Sequence, residues 1–485
     1  MAEKLNRRDV LRRTMAAVAL PLAACRDGGD VSLAATKPNI ILCMADDQGW
    51  GDTGYNGHPY LKTPHLDEMS QAGLRFDRFY SGAPVCSPTR GSALTGRHPY
   101  RYSVTTANAG HVREQEVTLA ELLRDQGYRT GHFGKWHLGT LTNDQEDGRR
   151  GGRRPEHYAP PWEHGFDESF SAEVQMPTWN PMVDQAFPSK YWTGPGEFAT
   201  ENLDGDDSRV IMDRAIPFIR GAVEDAKPFF AVIWFHTPHS PVVAGPRYRA
   251  MYEEFSEGEQ HYYGCITAMD EQVGRLRAEL RQLGVSNDTM LWYCSDNGPE
   301  GRTPQVRANR GSSGGLRGRK RSLFEGGVRV PGILEWPDRI ADGRTTSVPC
   351  STSDYFPTVA AMLGLEASAD GRPMDGTSLL ALIDGDMERR EKRIAFQCPD
   401  NNERAVLSRF GSPDHALIGD RYKFLSYLDE ERADQDMLFD LAADPGERHN
   451  LVAELPDVAA EMRTELQDWD VSCARSDAGD DYPSG

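Results

Sequence analysis

Cys86-Ser87-Pro88-Thr89-Arg90, continued by Leu94-Thr95-Gly96-Arg97, is the stretch on which the reading of this chain turns. It follows a strand-like segment, Arg75 to Tyr80, and a short Gly-Ala-Pro turn. Proline suits the first turn of a helix, where its missing N–H would be unpaired anyway. Cys86 therefore stands at the start of a predicted helix, where free N–H groups and the positive dipole end favour an anion. Read alone, it is either an acidified, reactive thiol or a small apolar residue before a helix, since buried inert cysteines are common.

Outward from this stretch, three apolar runs read as buried parallel strands: Lys37 to Ala45, Phe229 to Phe235 and Met290 to Cys294. Each ends in polar residues, which is where open α/β sheets place their sites. The first ends in Asp46-Asp47 and the third in Asp296-Asn297. Together these four supply an all-oxygen site for a hard divalent cation. The second ends in His236 and His239, three apart, but no third nitrogen or sulfur at a suitable interval supports zinc. Tyr128 to Phe133 is another strand, followed by Gly134-Lys135-Trp136-His137. Lys135 and His137 either point into one cleft or sit in an exposed loop.

Helices are expected over Pro64–Gly73 with Thr63 as N-cap, Leu119–Gly127 with Thr118 as N-cap, Arg209–Val223 and Asp354–Leu363. The longest, Glu259–Leu283, carries an apolar stripe of Tyr262, Cys265, Met269, Val273, Leu276 and Leu280 that reads as core. Past residue 370 the elements shorten. Ala416–Leu428 reads as strand, turn and strand, Met437–Asp440 as a strand, and Val458–Trp469 as a helix with Asp457 as N-cap. Tyr482 to Gly485 reads as a loose tail. The chain thus divides into a main α/β domain over 37–365 and a smaller C-terminal α+β domain over 366–485.

The 485 residues carry a net charge of −20, which argues against nucleic acid as a partner. An anionic substrate needs a local basic patch. One runs from Gly301 to Arg329. A second, Arg149, Arg150, Arg153 and Arg154, is either a solvated loop or a contact for an extended anion. Gln175 to Asn180 with Trp192 is either a sugar-binding wall or packing. Residues 1–25 read as a twin-arginine signal ending in a lipobox-like Leu22-Ala23-Ala24-Cys25. The expectation is an exported protein, periplasmic or in the cell envelope, with Cys25 a site for a lipid anchor. Cys43, Cys265, Cys294, Cys350, Cys398 and Cys473 are scattered, and Cys43 and Cys294 lie in apolar strands.

From Lys37 to about Leu451 the chain resembles the type I, formylglycine-dependent sulfatases of the alkaline-phosphatase-like superfamily. The resemblance rests on the Cys86 motif, Pro38-Asn39-Ile40 leading to Asp46-Asp47, and Gly134-Lys135-Trp136-His137. It continues in Pro238-His239-Ser240-Pro241, Ser295-Asp296-Asn297-Gly298, and Leu316 to Lys320 leading to Glu325 to Pro331. Leu438 to Leu441 with Asp444-Pro445 and Asn450-Leu451 completes it. It implies an α/β fold, an alkaline-phosphatase-like sandwich whose large, mixed, mostly parallel central sheet is flanked by helices.

The resemblance also implies a chemistry. Cys86 is oxidised to formylglycine by a separate formylglycine-generating enzyme. One hydroxyl of the hydrated aldehyde attacks sulfur, and collapse of the other expels sulfate. Asp46, Asp47, Asp296 and Asn297, with residue 86 itself, hold one calcium ion. Arg90 and Lys135 orient diol and sulfate, and His137 is the base for the collapse. His239 and Lys320 flank the leaving oxygen, one of them as acid. His236 lies behind the site or touches substrate. The substrate implied is a sulfated carbohydrate rather than a simple aryl sulfate. The alternatives are a phosphoester hydrolase on the same scaffold and a non-catalytic lipoprotein binding sulfated glycan through unmodified Cys86.

Overall fold

The three apolar runs do lie side by side. In the computed structural model, which describes residues 37–301, 311–368, 371–398 and 412–482, the Asn39–Ala45 strand pairs in parallel with Thr289–Ser295 on one side and Phe229–Trp234 on the other. Arg129–Lys135 and then Glu168–Ala172 extend the parallel set. These five strands form the middle of a ten-stranded sheet, with antiparallel pairing at Gly332–Glu335 and Trp192–Gly194.

Successive side chains of a strand face opposite ways, and here both faces are covered. Ile40, Leu42 and Met44 join one core with Val232, Trp234, Trp292 and the helix Cys86–Thr95. Ile41, Cys43 and Ala45 join the other, where Asp207–Glu224 and Glu257–Gln282 pack. All six residues of the expected stripe on the long helix are buried there. Burial on both faces is why these strands are apolar without alternation.

Arg75 to Tyr80 is two strands, not one. Leu74–Phe76 joins the large sheet, whereas Phe79–Tyr80 pairs with Arg329–Val330 and Cys350–Ser351 in a small sheet. The chain crosses between sheets just before the Cys86 helix. Thr118 caps its helix through a reciprocal bond with Glu121, but Thr63 makes no capping bond from its side chain.

A four-stranded antiparallel sheet runs Ile394–Gln397, His415–Ile418, Tyr422–Ser426 and Met437–Asp440. One face packs on Leu323, Phe324 and Val328, beside Lys320. The other packs on the last helix. That helix spans Pro456–Ala478, longer than Val458–Trp469, with Leu455 rather than Asp457 at its N-cap. Its extra turns are held by Arg101, which donates to Ser472 and Ser476. Tyr482 is anchored rather than loose, its hydroxyl donating to Glu116 at 2.6 Å.

All seven described cysteines are buried, and no disulfide joins any two of them. Among the described residues no helix is long and apolar enough to cross a membrane. Residues 1–25 with Cys25, the loop arginines Arg302, Arg307 and Arg310, and residues 483–485 lie outside the described residues.

Candidate active site

The carboxyl ends of the five parallel strands bring the polar residues together. Asp46 and Asp47 follow one strand and Asp296 and Asn297 its neighbour, in register through Ala45 and Ser295. Asp296 Oδ1 accepts from the Asp47 N–H at 3.0 Å, and Asn297 Nδ2 donates to Asp47 Oδ1 at 2.7 Å. Asp47 and His137 both hold left-handed backbone, with φ of 69° and 58°. Such strain costs on the order of 1 kcal/mol per residue and gathers where geometry is fixed for function.

Cys86 begins its helix, after Val85 in extended backbone. Thr89 fixes the approach, donating to Ala83 O and accepting from Ala83 N–H. The thiol donates to Asp46 Oδ1 at 3.5 Å, and Lys320 Nζ lies 3.4 Å from Sγ. Burial, with Asp296 adding to it, pushes the Cys86 thiol up to about 12. Of the two readings of Cys86 taken alone, the acidified thiol is the one the site does not support. A helix dipole contributes on the order of 1 kcal/mol and is outweighed by desolvation among carboxylates.

Cations interleave with the acids. Arg90 lies in the same helix as Cys86 and donates to Asp296 Oδ2 at 2.7 Å, with its guanidinium over the Trp234 ring. Lys135 is the last residue of its strand, not part of the loop beyond. Its Nζ donates to Asp46 Oδ2 at 2.7 Å. Gly134 before it has φ of 106°, and a Cβ there would strike the Trp234 carbonyl at 1.9 Å. Lys320 donates to Asp47 Oδ1 at 2.5 Å. Burial opposes ionisation of Asp47, but Lys320 outweighs it and holds this carboxyl below the usual range. Asp296 is raised to about 6 by burial and by Asp46, against the pull of Arg90.

Three histidines differ in state. His137 is buried, with Nε2 bonded to Asn108 Oδ1 at 2.9 Å and no hydrogen-bond partner for Nδ1 among the described residues. Burial, then the Lys135 charge, lowers it well below its ordinary value, so the ring is neutral with Nδ1 bare. His239 donates Nδ1–H to Ser240 O at 2.7 Å and turns Nε2 toward Asp47 Oδ2 at 3.6 Å. Burial lowers it to about 3, with Lys320 assisting against Asp47. His236 is fully buried and bonded through Nδ1 to Asp207 Oδ2 at 2.9 Å.

The donors fit a hard cation. Asp47 Oδ2 and Asn297 Oδ1 are buried acceptors with no hydrogen-bond partner among the described residues. One donor atom from each of Asp46, Asp47, Cys86 and His239 lies within 4.8 Å of the others. Asp46, Asp47, Asp296 and Asn297 offer oxygen, which suits calcium better than softer ions.

Neither the motifs nor the strand ends marked Asn108, Glu173 or Glu300. Glu300 pairs with Arg321 at 2.5 Å. Glu173 directly follows the Glu168–Ala172 strand, and its carbonyl accepts from the His137 N–H at 3.1 Å. Its place at a strand's carboxyl end was the available signal. Of the two readings of Trp192, packing is the one that holds, because Trp192 is fully buried in the core. Arg150 is buried too, whereas Arg153 and Arg154 are exposed as a solvated loop requires.

The sulfatase family profile matches residues 38–365, and that of the N-sulphoglucosamine sulphohydrolase C-terminal region matches 318–472. The chain is similar to steryl-sulfatase of Mus musculus, at 30% identity over 92% of this chain and 84% of the relative. It is similar to N-acetylgalactosamine-6-sulfatase of Sus scrofa, at 32% identity over 90% of this chain and 87% of the relative. The crystal structure of Ps i-CgsB in complex with k-i-k-neocarrahexaose superposes with a TM-score of 0.75 at 25% identity, over 90% of this chain and 93% of that one.

Proposed function

Because this chain belongs to the sulfatase family and is a sulfuric ester hydrolase, we propose that it desulfates a carbohydrate through formylglycine made from Cys86, with calcium held beside it. The observation that carries this reading is the enclosure of Cys86 Sγ by Asp46 and Lys320, inside the cluster of Arg90, Lys135, Asp47 and Asp296. A buried thiol raised to about 12 is a poor nucleophile at neutral pH, which favours conversion of the residue over direct use of its sulfur. The hydrated aldehyde supplies a nucleophilic hydroxyl and a second one through which sulfate can leave, an exit that a thiol lacks. Asp46, Asp47, Asp296 and Asn297 would hold calcium, which would supply positive charge against the sulfate oxygens and acidify the nucleophile.

The remaining roles fall to this chain's own side chains. Arg90 and Lys135 are held rigid by Asp296 and Asp46 and present fixed positive charge to a bound sulfate. His137, neutral with Nδ1 bare, is the base. Lys320 carries a proton beside residue 86, whereas His239 must first receive one at Nε2 before it can give one. Lys320 is therefore the first candidate for the acid on the leaving oxygen, and His239 the second.

The carbohydrate preference is supported by the likeness to N-acetylgalactosamine-6-sulfatase and to a structure solved with an oligosaccharide. The twin-arginine stretch at Arg7-Arg8 supports export, with maturation by a formylglycine-generating enzyme. Release of inorganic sulfate from a panel of sulfated saccharides, beside matched phosphate esters, tests the proposal. Faster turnover of phosphate would favour the phosphoester reading instead.

A further inference from the structure

Almost every cation around Cys86 is matched by a carboxylate. Arg90 pairs with Asp296, Lys135 with Asp46, Lys320 with Asp47, Arg321 with Glu300 and Arg150 with Glu173. Arg149 differs from these: among the described residues its guanidinium has no ion-pair partner and lies on the Phe187 ring, 3.7 Å from its centroid.

Its position is fixed from the site outward. Glu173 binds the backbone of His137 through its carbonyl. Through its carboxylate the same residue accepts from Arg150 Nε at 2.9 Å and from the Gly151 N–H at 3.2 Å. Arg150 also donates to Gly110 O at 2.6 Å, two residues from the Asn108 that holds the His137 ring. On the other side, Gly148 has φ of 54°, and a Cβ there would lie 2.7 Å from Glu173 Oε2. Asp147 accepts from Ser189 and from the Lys190 N–H. The turn that carries Arg149 is thus clamped at both ends, one of them to a residue bonded to His137.

Arg149 is exposed to solvent yet partly desolvated by surrounding protein. It directly precedes Arg150, which is tied through Glu173 and Gly110 to the residues that hold His137. Stacking on Phe187 restricts its rotamers before any ligand arrives, which lowers the ordering cost of binding. A guanidinium without an ion pair, stacked on Phe187 and carried by a turn clamped to the support of His137, is a receptor for an anion. In a chain of net charge −20, it is not there for general steering.

We propose that Arg149 binds a second anionic group of the substrate, so that the preferred substrate is a polyanionic saccharide bearing a sulfate or carboxylate beside the sulfate ester that is cleaved. The proposal rests on the sulfatase reading. A planar guanidinium accepts either oxyanion in a bidentate fashion, so the two sources are separated by experiment.

The test is calorimetric binding to Cys86→Ala protein, which cannot turn substrate over. Three saccharides are compared: one with a single sulfate, one with a second sulfate, and one with a neighbouring uronate. The expected result is roughly ten- to hundredfold tighter binding with the second anion. This preference should be lost in Cys86→Ala/Arg149→Ala and partly kept in Cys86→Ala/Arg149→Lys. The stronger of the two dianionic ligands identifies the anion. Equal binding of all three, no binding of any, or a preference that survives Arg149→Ala would overturn the proposal. Sulfate release by the wild-type enzyme from the singly sulfated sugar tests the underlying sulfatase reading by itself, so the two fail separately.

Discussion

Lys320 Nζ donates to Asp47 Oδ1 at 2.5 Å, joining two buried residues 273 positions apart in the chain. The bond ties the basic segment beside the C-terminal sheet to the end of the central strand, and it leaves Lys320 Nζ within reach of Cys86 Sγ. Lys320→Ala should lower kcat by roughly 10²- to 10⁴-fold, the range of a lost general acid. Lys320→Arg should not restore it, because a planar fork cannot replace a compact ammonium. Steady-state kinetics beside circular dichroism would separate this from unfolding, and kcat within a few-fold of wild type would remove Lys320 from the chemistry.

His239 is separated from Lys320 by leaving group. An acid matters most when the departing alcohol is poor, such as a sugar hydroxyl, and least for an activated aryl sulfate. If His239 delivers the proton, His239→Ala widens the gap between aryl and sugar substrates. If Lys320 does, His239→Ala lowers both alike while Lys320→Ala widens the gap. His236→Ala should leave the ratio nearly unchanged, since His236 is buried against Asp207.

The metal should be calcium, bound through oxygen. Elemental analysis is expected to find about one calcium per chain, and chelation should abolish activity, with calcium restoring it. Asp296→Ala should lose both metal and turnover while the sheet remains folded. Stoichiometric zinc, with activity that follows zinc, would contradict the all-oxygen site.

Asp375 gives a pH-dependent test of the fold. Arg101 grips it at 2.7 and 2.8 Å, and Trp469 Nε1 donates to it at 2.8 Å, pinning the last helix to the main body. Burial works against ionisation of Asp375, but Arg101 outweighs it and holds the carboxyl well below the usual range. A depressed folded-state value stabilises above the unfolded value of about 3.9 and is lost as pH falls below it. Asp375→Asn should therefore cost about 3 kcal/mol at neutral pH and progressively less below pH 4. Melting temperatures across pH would show it, and a deficit constant with pH would refute the ion pair as its source.

Much of this was legible in the sequence because it is local. Unbroken apolar runs marked the central strands, and acids at their ends marked Asp46, Asp47, Asp296 and Asn297. What escaped was set by long-range packing. The break between Phe76 and Phe79 depends on which sheet each half joins, and no local propensity records that. The last helix runs past Trp469 because Arg101, over 350 residues earlier, holds Ser472 and Ser476. Asn108 and Glu173 act through single bonds to His137, without a motif of their own. The two local readings of Cys86 stayed open in the sequence because the helix start was visible and the surrounding carboxylates were not.

Peptide mass spectrometry of residue 86, read against specific activity, tests the central claim most directly. Preparations made with and without a formylglycine-generating enzyme would be digested and the peptide spanning Cys86 to Arg90 quantified. Sulfatase activity should rise in proportion to the fraction of aldehyde or hydrate at residue 86, and Cys86→Ala should have none. Full activity in protein whose residue 86 is intact cysteine throughout would contradict it.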